Sequence, residues 1–116
     1  MDSEIINVSY IEEVCDNSSE LIADMVEIFR DQVCEFGTSM KNMLKDEQYY
    51  ELGLMAHKAK SSVAIMGMEQ LARSLKELEI NAKAGKKTDS YRKHVDDFID
   101  QTGKAVKELE AYLKTL

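Results

Sequence analysis

Two histidines are the side chains of this sequence best suited to nucleophilic chemistry near pH 7, because a neutral imidazole has a free lone pair. His57 has lysines one and three positions after it, Lys58 and Lys60, and a serine four positions after it, Ser61. Ammonium and hydroxyl groups at these positions suit a phosphoryl group bound to the ring. These residues are therefore suited to a phosphoryl group carried on His57, with Lys58, Lys60 and Ser61 as its supporting residues.

The helical periodicity around His57 predicts that its ring points away from the protein core. A helix turns about 100° per residue, so three apolar residues are expected opposite the ring, facing the core: Met55, Ala59 and Met66. Small residues lie four or seven positions from His57 on its own face, at Gly53, Ser61 and Ala64. They would let a partner's surface approach the imidazole closely. An ordinary exposed histidine would fit the same geometry, since lysines and small residues are common on helix surfaces.

The other residues that could do chemistry have simpler explanations. His94 lies among charged residues and is expected to be exposed and without a function. Three lysines flank Gly85, where a helix is expected to end and cations interact favourably with its dipole: Lys83, Lys86 and Lys87. Cys15 and Cys34 match no metal-binding spacing and are expected to be reduced core or boundary residues. Metal sites in helical bundles use Glu-x-x-His pairs, which neither histidine has, so no metal site is predicted.

The elements that position these residues are predicted to be helices throughout. The sequence has no proline and only five glycines, and good helix formers are plentiful. Apolar residues recur every three or four positions in one short and four long segments, at about 5–14, 18–45, 47–66, 68–84 and 89–114. Asn17 and Asp46 are the expected N-caps of the first two long helices, and Gly67 is the expected C-terminal stop of the second.

Four long amphipathic helices joined by short loops predict an all-α fold, an antiparallel up-and-down four-helix bundle with the short N-terminal helix across one end. The length of 116 residues matches a single domain, residues 1–116. The net charge of −7 disfavours nucleic acid and anionic membranes as partners. No apolar run is long enough to span a membrane, and residues 1–4 lack the features of a signal peptide. We expect a cytoplasmic monomer.

Residues 56–62, A-H-K-A-K-S-S, followed by the Met-Gly pair at 66–67, resemble the signature of the histidine phosphotransfer (HPt) domain family. Four positions match the family pattern at the family's spacing: His57, Lys60, Ser62 and Gly67. Two positions depart from it, since Ser61 stands where the family usually has glycine and Ala59 where it usually has a large aliphatic residue. The helix order and the length of the chain also resemble the family.

The resemblance implies that His57 accepts a phosphoryl group from an aspartyl phosphate of a response-regulator receiver domain and passes it to another receiver. It implies no ATP binding, and the sequence has no P-loop, G-x-G-x-x-G or kinase motif. The receiver would bring Mg²⁺ and a lysine, so the chain would need no cofactor of its own and would be a phosphocarrier rather than an enzyme. Two other interpretations stay open: a docking module that carries no phosphate, and the terminal domain of a hybrid sensor histidine kinase.

Docking of a receiver needs an apolar surface beside His57. On a helical wheel Leu54 and Ile65 lie between the core side and His57, and Ile11 and Val14 of the short first helix are expected nearby. These four apolar residues form the predicted docking patch. They would fit equally well at the boundary of the core.

Overall fold

The structure, a computed structural model, describes residues 6–116. All regular secondary structure in this range is helical. No strand occurs in that range, and five α-helices follow one another: α1 Val8–Val14, α2 Ser19–Lys45, α3 Tyr49–Ile65, α4 Glu69–Ala84 and α5 Tyr91–Leu113. A single 3₁₀ turn, Thr88–Ser90, leads into α5. The all-α prediction is confirmed for these residues. The predicted helix start at residue 5 and the acidic residues 1–4 lie outside the described range.

The starts of α2 and α3 differ from the predicted capping positions. Ser18 rather than Asn17 caps α2, because its backbone is extended and its side chain accepts a hydrogen bond from the Leu21 amide, at 3.2 Å. Asn17 has a φ of 57°, a left-handed conformation that belongs to the preceding turn. Asp46 is the C-terminal cap of α2 and not the N-cap of the next helix, because α3 begins only at Tyr49.

Gly67 turns the chain after α3 and brings α1 against that end of the helix. Gly67 has a φ of +76°, the left-handed conformation that glycine adopts without steric cost. A Cβ atom on Gly67 would lie 2.5 Å from the Cβ of Asn7, the residue that precedes α1. The Asn7 amide also donates a hydrogen bond to the Met66 carbonyl, at 3.2 Å. These contacts hold α1 beside the C-terminal end of α3.

The four long helices surround one apolar core. α2 packs against α3 and α5, and α4 packs against the same two helices. Burial of apolar surface is the main driving force for this packing. The largest fully buried side chains come from all five helices and from the turn after α3: Ile11, Ile22, Met40, Leu52, Val63, Met66, Leu75, Leu78, Tyr91, Val95, Phe98 and Leu109. Within residues 6–116, no helix combines the length and the apolar character needed to cross a membrane.

Candidate functional site

His57 lies near the middle of α3, and its side chain is more than half exposed, at 57%. Ser61 and Ala64 follow it on the same side of α3, and both are exposed. Their small side chains leave room for a second protein to reach the ring. Lys58 is exposed next to His57 and forms no ion pair with any residue in the described range.

The helical wheel predicted that the ring points directly away from the core. In the structure it does not. α3 buries Gly53 and Ala56 as well as the expected Ala59, whereas Met55 is only half-buried. The buried face of α3 is therefore turned toward α4, and His57 lies at the edge of the contact between the two helices. A wheel drawn for one helix contains no information about which neighbour packs beside it, so it could not place this edge.

Gly53 is covered by α4 and does not belong to a surface that a partner can approach. A Cβ atom at Gly53 would lie 2.8 Å from Cγ of Lys83, 3.1 Å from the carbonyl oxygen of Glu79 and 3.2 Å from the backbone nitrogen of Lys83. A side chain at this position would push against α4, because the backbone of α4 cannot yield as a flexible side chain does. The predicted role of Gly53 is therefore wrong: the glycine admits α4 rather than a partner protein.

A carboxylate of α4 binds the ring of His57. Oε2 of Glu79 lies 3.0 Å from Nδ1 of His57, and the Glu79 side chain is only 14% exposed. An ionised carboxylate accepts hydrogen bonds and donates none, so Nδ1 carries the hydrogen atom of this bond. The neutral ring then has its lone pair on Nε2, the nitrogen that the bond leaves free.

Two lysines share the Glu79 carboxylate with His57. Nζ of Lys83 lies 3.0 Å from Oε2, and Nζ of Lys60 lies 3.4 Å from Oε1. Burial on its own raises the pKa of Glu79, but hydrogen bonds from Lys83 and His57 and the charges of Lys60 and His57 lower it to about 2. Glu79 is therefore ionised near neutral pH. Lys60, predicted as a supporting lysine, binds Glu79, and Glu79 in turn binds His57.

The sequence did not single out Glu79 and placed Lys83 only at the end of a helix. Glu79 follows Leu78, which belongs to the buried stripe of α4, so its position beside the core could have been read from the periodicity. Its pairing with a histidine 22 residues earlier depends on how α3 packs on α4. No local pattern of residues encodes that contact.

The predicted docking residues divide into one buried and three exposed side chains. Ile11 is fully buried, at 0% exposure, so its prediction as a docking residue is wrong. It is the buried residue of α1, and a short helix stays on the protein surface only by burying its apolar side. Val14, Leu54 and Ile65 are exposed, at 51%, 42% and 46%.

An apolar groove of about 520 Å³ lies between α1, α2 and α3. Its exposed lining includes Val14 and Ile65, together with two residues of α2 that were not predicted for this surface, Leu21 and Ile28. Leu21 and Ile28 are seven positions apart and therefore share one face of α2. Ile65 lies about 12 Å along α3 from His57, given the rise of about 1.5 Å per residue. The groove is therefore close enough for one partner to cover both it and the imidazole.

His94 is not the exposed residue that the sequence predicted. Its side chain is 14% exposed, and it lies in α5 facing α4. Nδ1 of His94 is 2.8 Å from the hydroxyl oxygen of Ser74, and Nε2 is 3.6 Å from Oε2 of Glu77. His94 therefore links α4 to α5, and its ring is much less exposed to solvent than that of His57.

The cysteines do not form a reactive pair. Cys15 is buried, Cys34 is exposed, and neither forms a disulfide. Burial raises the pKa of the Cys15 thiol, and its Sγ lies 3.3 Å from Sδ of Met25. Residues 6–116 contain no cluster of three or more His, Cys, Asp or Glu side chains that could hold a metal ion.

Comparison with known protein families gives a match over most of the chain. The family model described as Hpt domain matches residues 24–115, a range that includes most of α2 and all of α3, α4 and α5. No curated protein and no solved structure gives a significant match. The matched range contains His57, Lys60, Glu79 and Lys83.

Proposed function

This chain belongs to the Hpt domain family, whose members carry phosphoryl groups in two-component signalling and interact with response-regulator receiver domains, and we propose that it carries its phosphoryl group on His57. An aspartyl phosphate of one receiver donates the group, and the aspartate of another receiver takes it. The observation that carries this proposal is the 3.0 Å hydrogen bond between Nδ1 of His57 and Oε2 of Glu79, on a ring that is 57% exposed.

Transfer begins with Nε2 of His57 in line with the phosphorus–oxygen bond of the donor. The lone pair of Nε2 forms a bond to phosphorus while the phosphorus–oxygen bond breaks, and the electron pair of that bond leaves with the aspartate carboxylate. The phosphorylated ring is then positively charged, with its hydrogen atom still on Nδ1. The Glu79 carboxylate, 3.0 Å from Nδ1, stabilises that charge. The same steps in reverse, on a second receiver, return the ring to its neutral form.

Negative charge on the transferring group is neutralised from both proteins. The receiver supplies Mg²⁺ and a lysine, so the chain needs no cofactor of its own and no ATP. Lys58 is exposed beside His57 and has no competing ion pair in residues 6–116, so its charge is available to the transferring group. Lys60 is 25% exposed and is bound to Glu79, so its contribution is mainly to the environment of the ring. Ser61 adds a hydroxyl group on the exposed face.

The receiver docks on the apolar groove between α1, α2 and α3 and reaches from there to the imidazole. Val14, Leu21, Ile28 and Ile65 offer half-exposed apolar side chains there. Leu54 is a further exposed apolar residue of α3, outside the groove. An exposed apolar surface next to a reactive group is typical of a protein interface. The small side chains of Ser61 and Ala64 let the receiver's active site approach the ring closely.

The wider organisation is also proposed. Residues 1–116 form a single domain, and its four long helices run alternately up and down, because the connections 46–48, 66–68 and 85–90 are short enough to favour antiparallel neighbours.

The protein works as a cytoplasmic monomer. It has no nucleic-acid partner, since its net charge is −7.

A transfer assay tests the proposal. The protein is mixed with a ³²P-labelled phosphorylated receiver and Mg²⁺, and then with a second, unlabelled receiver. We expect acid-labile, base-stable label on this chain, as phosphohistidine gives, followed by its passage to the second receiver. Binding of the receiver without any label on this chain would contradict the phosphocarrier function and favour a docking module instead. Labelling from ATP without a receiver would contradict the phosphocarrier assignment.

A further inference from the structure

We propose that Lys83 is a positioning residue for His57: its ammonium group holds the Glu79 carboxylate against Nδ1 of the ring and so keeps Nε2 free for phosphoryl transfer. This inference rests on the proposed function of His57. Lys83 would touch neither the phosphoryl group nor the receiver. It would act through Glu79 alone.

The contacts around Glu79 separate the roles of the two lysines. Oε2 of Glu79 accepts hydrogen bonds both from Nζ of Lys83 and from Nδ1 of His57, each at 3.0 Å. A carboxylate oxygen has two lone pairs and can accept both bonds at once. Lys60 lies farther away, at 3.4 Å, and binds the other oxygen, Oε1. Lys83 is therefore the cation that fixes the oxygen atom on which the ring depends.

The path of the Lys83 side chain is set by Gly53. A Cβ atom on Gly53 would come within 2.8 Å of Cγ of Lys83, so the aliphatic part of the lysine passes directly over the glycine. Gly53 precedes His57 by one turn of α3, and Lys83 follows Glu79 by one turn of α4. The bare backbone at Gly53 therefore leaves the space in which Lys83 reaches back to Glu79.

The tautomer of His57 is the quantity that this arrangement controls. With Glu79 fixed against Nδ1, the neutral ring keeps its hydrogen atom there and its lone pair on Nε2. Without Lys83, the 14% exposed carboxylate has one anchor fewer on Oε2 and is free to turn toward Lys60. The hydrogen bond that stabilises the Nδ1–H tautomer is then weaker, so this reactive tautomer is less populated.

Nitrogen NMR of the unphosphorylated protein tests the inference directly, because imidazole ¹⁵N shifts distinguish the two tautomers. In Lys83→Met, which keeps the length of the side chain but removes its charge, we expect the ratio of Nδ1–H to Nε2–H tautomers at His57 to fall about fivefold. The rate of phosphoryl acceptance should fall by a similar factor. Lys83→Arg should restore both. Lys86→Met, at an exposed lysine that does not bind Glu79, is the control and should change neither.

A double-variant cycle with Glu79→Gln decides whether Lys83 acts through Glu79. We expect Lys83→Met to have no further effect on the rate once Glu79 is Gln. An unchanged tautomer ratio in Lys83→Met, or a further loss of rate in the double variant, would overturn the inference. Failure of the proposed function itself would look different: the wild-type protein would take no label at all, while the tautomer measurement would still report on Lys83.

Discussion

Nδ1 of His57 lies 3.0 Å from Oε2 of Glu79, so the site is made by two helices, α3 and α4, from residues 22 positions apart. α3 presents the imidazole to solvent, and α4 supplies the carboxylate that accepts the hydrogen bond from Nδ1. The close packing of these helices at Gly53 brings the ring and the carboxylate together.

Removal of the Glu79 charge should slow phosphoryl transfer without abolishing it. In Glu79→Gln the amide oxygen still accepts a hydrogen bond from Nδ1, but the positive charge of the phosphorylated ring is no longer neutralised. We expect the rate of acceptance from a phosphorylated receiver to fall about tenfold. Glu77→Gln makes the same change beside the other histidine and should leave the rate unaltered. A wild-type rate in Glu79→Gln would contradict the role given to this carboxylate.

Glu79 should also make stability depend on pH in acid. Its pKa is lowered from 4.5 to about 2 in the folded protein, so its ionised form stabilises the fold fully above about pH 4.5. That contribution is lost as the pH falls from about 4.5 toward 2. Allowing for screening by solvent, we expect about 1–2 kcal/mol.

Urea unfolding of the wild type and Glu79→Gln between pH 7 and pH 2.5 measures this contribution. The difference in unfolding free energy should be largest above about pH 4.5 and should shrink as the pH approaches 2. A difference that stays constant over this range would show that the carboxylate has the same pKa in the folded and unfolded states.

Gly53 and Gly103 form a matched pair of helical glycines with opposite surroundings. A Cβ atom at Gly53 would meet Lys83 and Glu79 at 2.8–3.2 Å, whereas at Gly103 it would meet nothing within 4 Å. We expect Gly53→Ala to destabilise the fold by about 1–3 kcal/mol, because α4 must move. Gly103→Ala should stabilise it by up to about 1 kcal/mol through better helix propensity. Chemical unfolding measures both, and equal shifts in the two variants would contradict the close approach of α4 at Gly53.

The apolar groove should be required for receiver binding but not for folding. Ile28 and Ile80 are both 57% exposed, but Ile28 lines the groove and Ile80 lies on α4, outside it. Ile28→Glu should weaken binding of a receiver about tenfold or more, because a charge would be buried in the interface. Ile80→Glu should leave the affinity near that of the wild type. Binding can be followed by titration calorimetry, and equal effects of the two substitutions would place the interface elsewhere.

Periodicity of apolar residues was sufficient to predict the helices, and the His57 motif together with the helix order and the chain length was sufficient to predict the family. What the sequence could not provide were the contacts between helices. A helical wheel of α3 places Gly53 on the exposed face because it does not contain α4, and no local pattern links Glu79 to His57 because their contact exists only after packing. The docking prediction for Ile11 is wrong for the same reason, since the packing of α1 buries that residue in the core.

Capping residues show a different limit. Asn17 and Ser18 both favour an N-cap, and the side chain that serves is decided by the turn before α2, where Asn17 takes a φ of 57°. His94 illustrates the same dependence on packing, because its charged neighbours in sequence suggested exposure while Ser74 of α4 covers its ring. In both cases the local sequence permitted two outcomes and a neighbouring segment selected one.

The most direct test of the account is the site of phosphorylation. Wild-type protein, His57→Gln and His94→Gln are each incubated with the same phosphorylated receiver and Mg²⁺, and the bound phosphoryl group is detected by ³¹P NMR. We expect a phosphohistidine signal from the wild type and from His94→Gln, and none from His57→Gln. A signal that persists in His57→Gln would contradict the central claim that His57 carries the phosphoryl group.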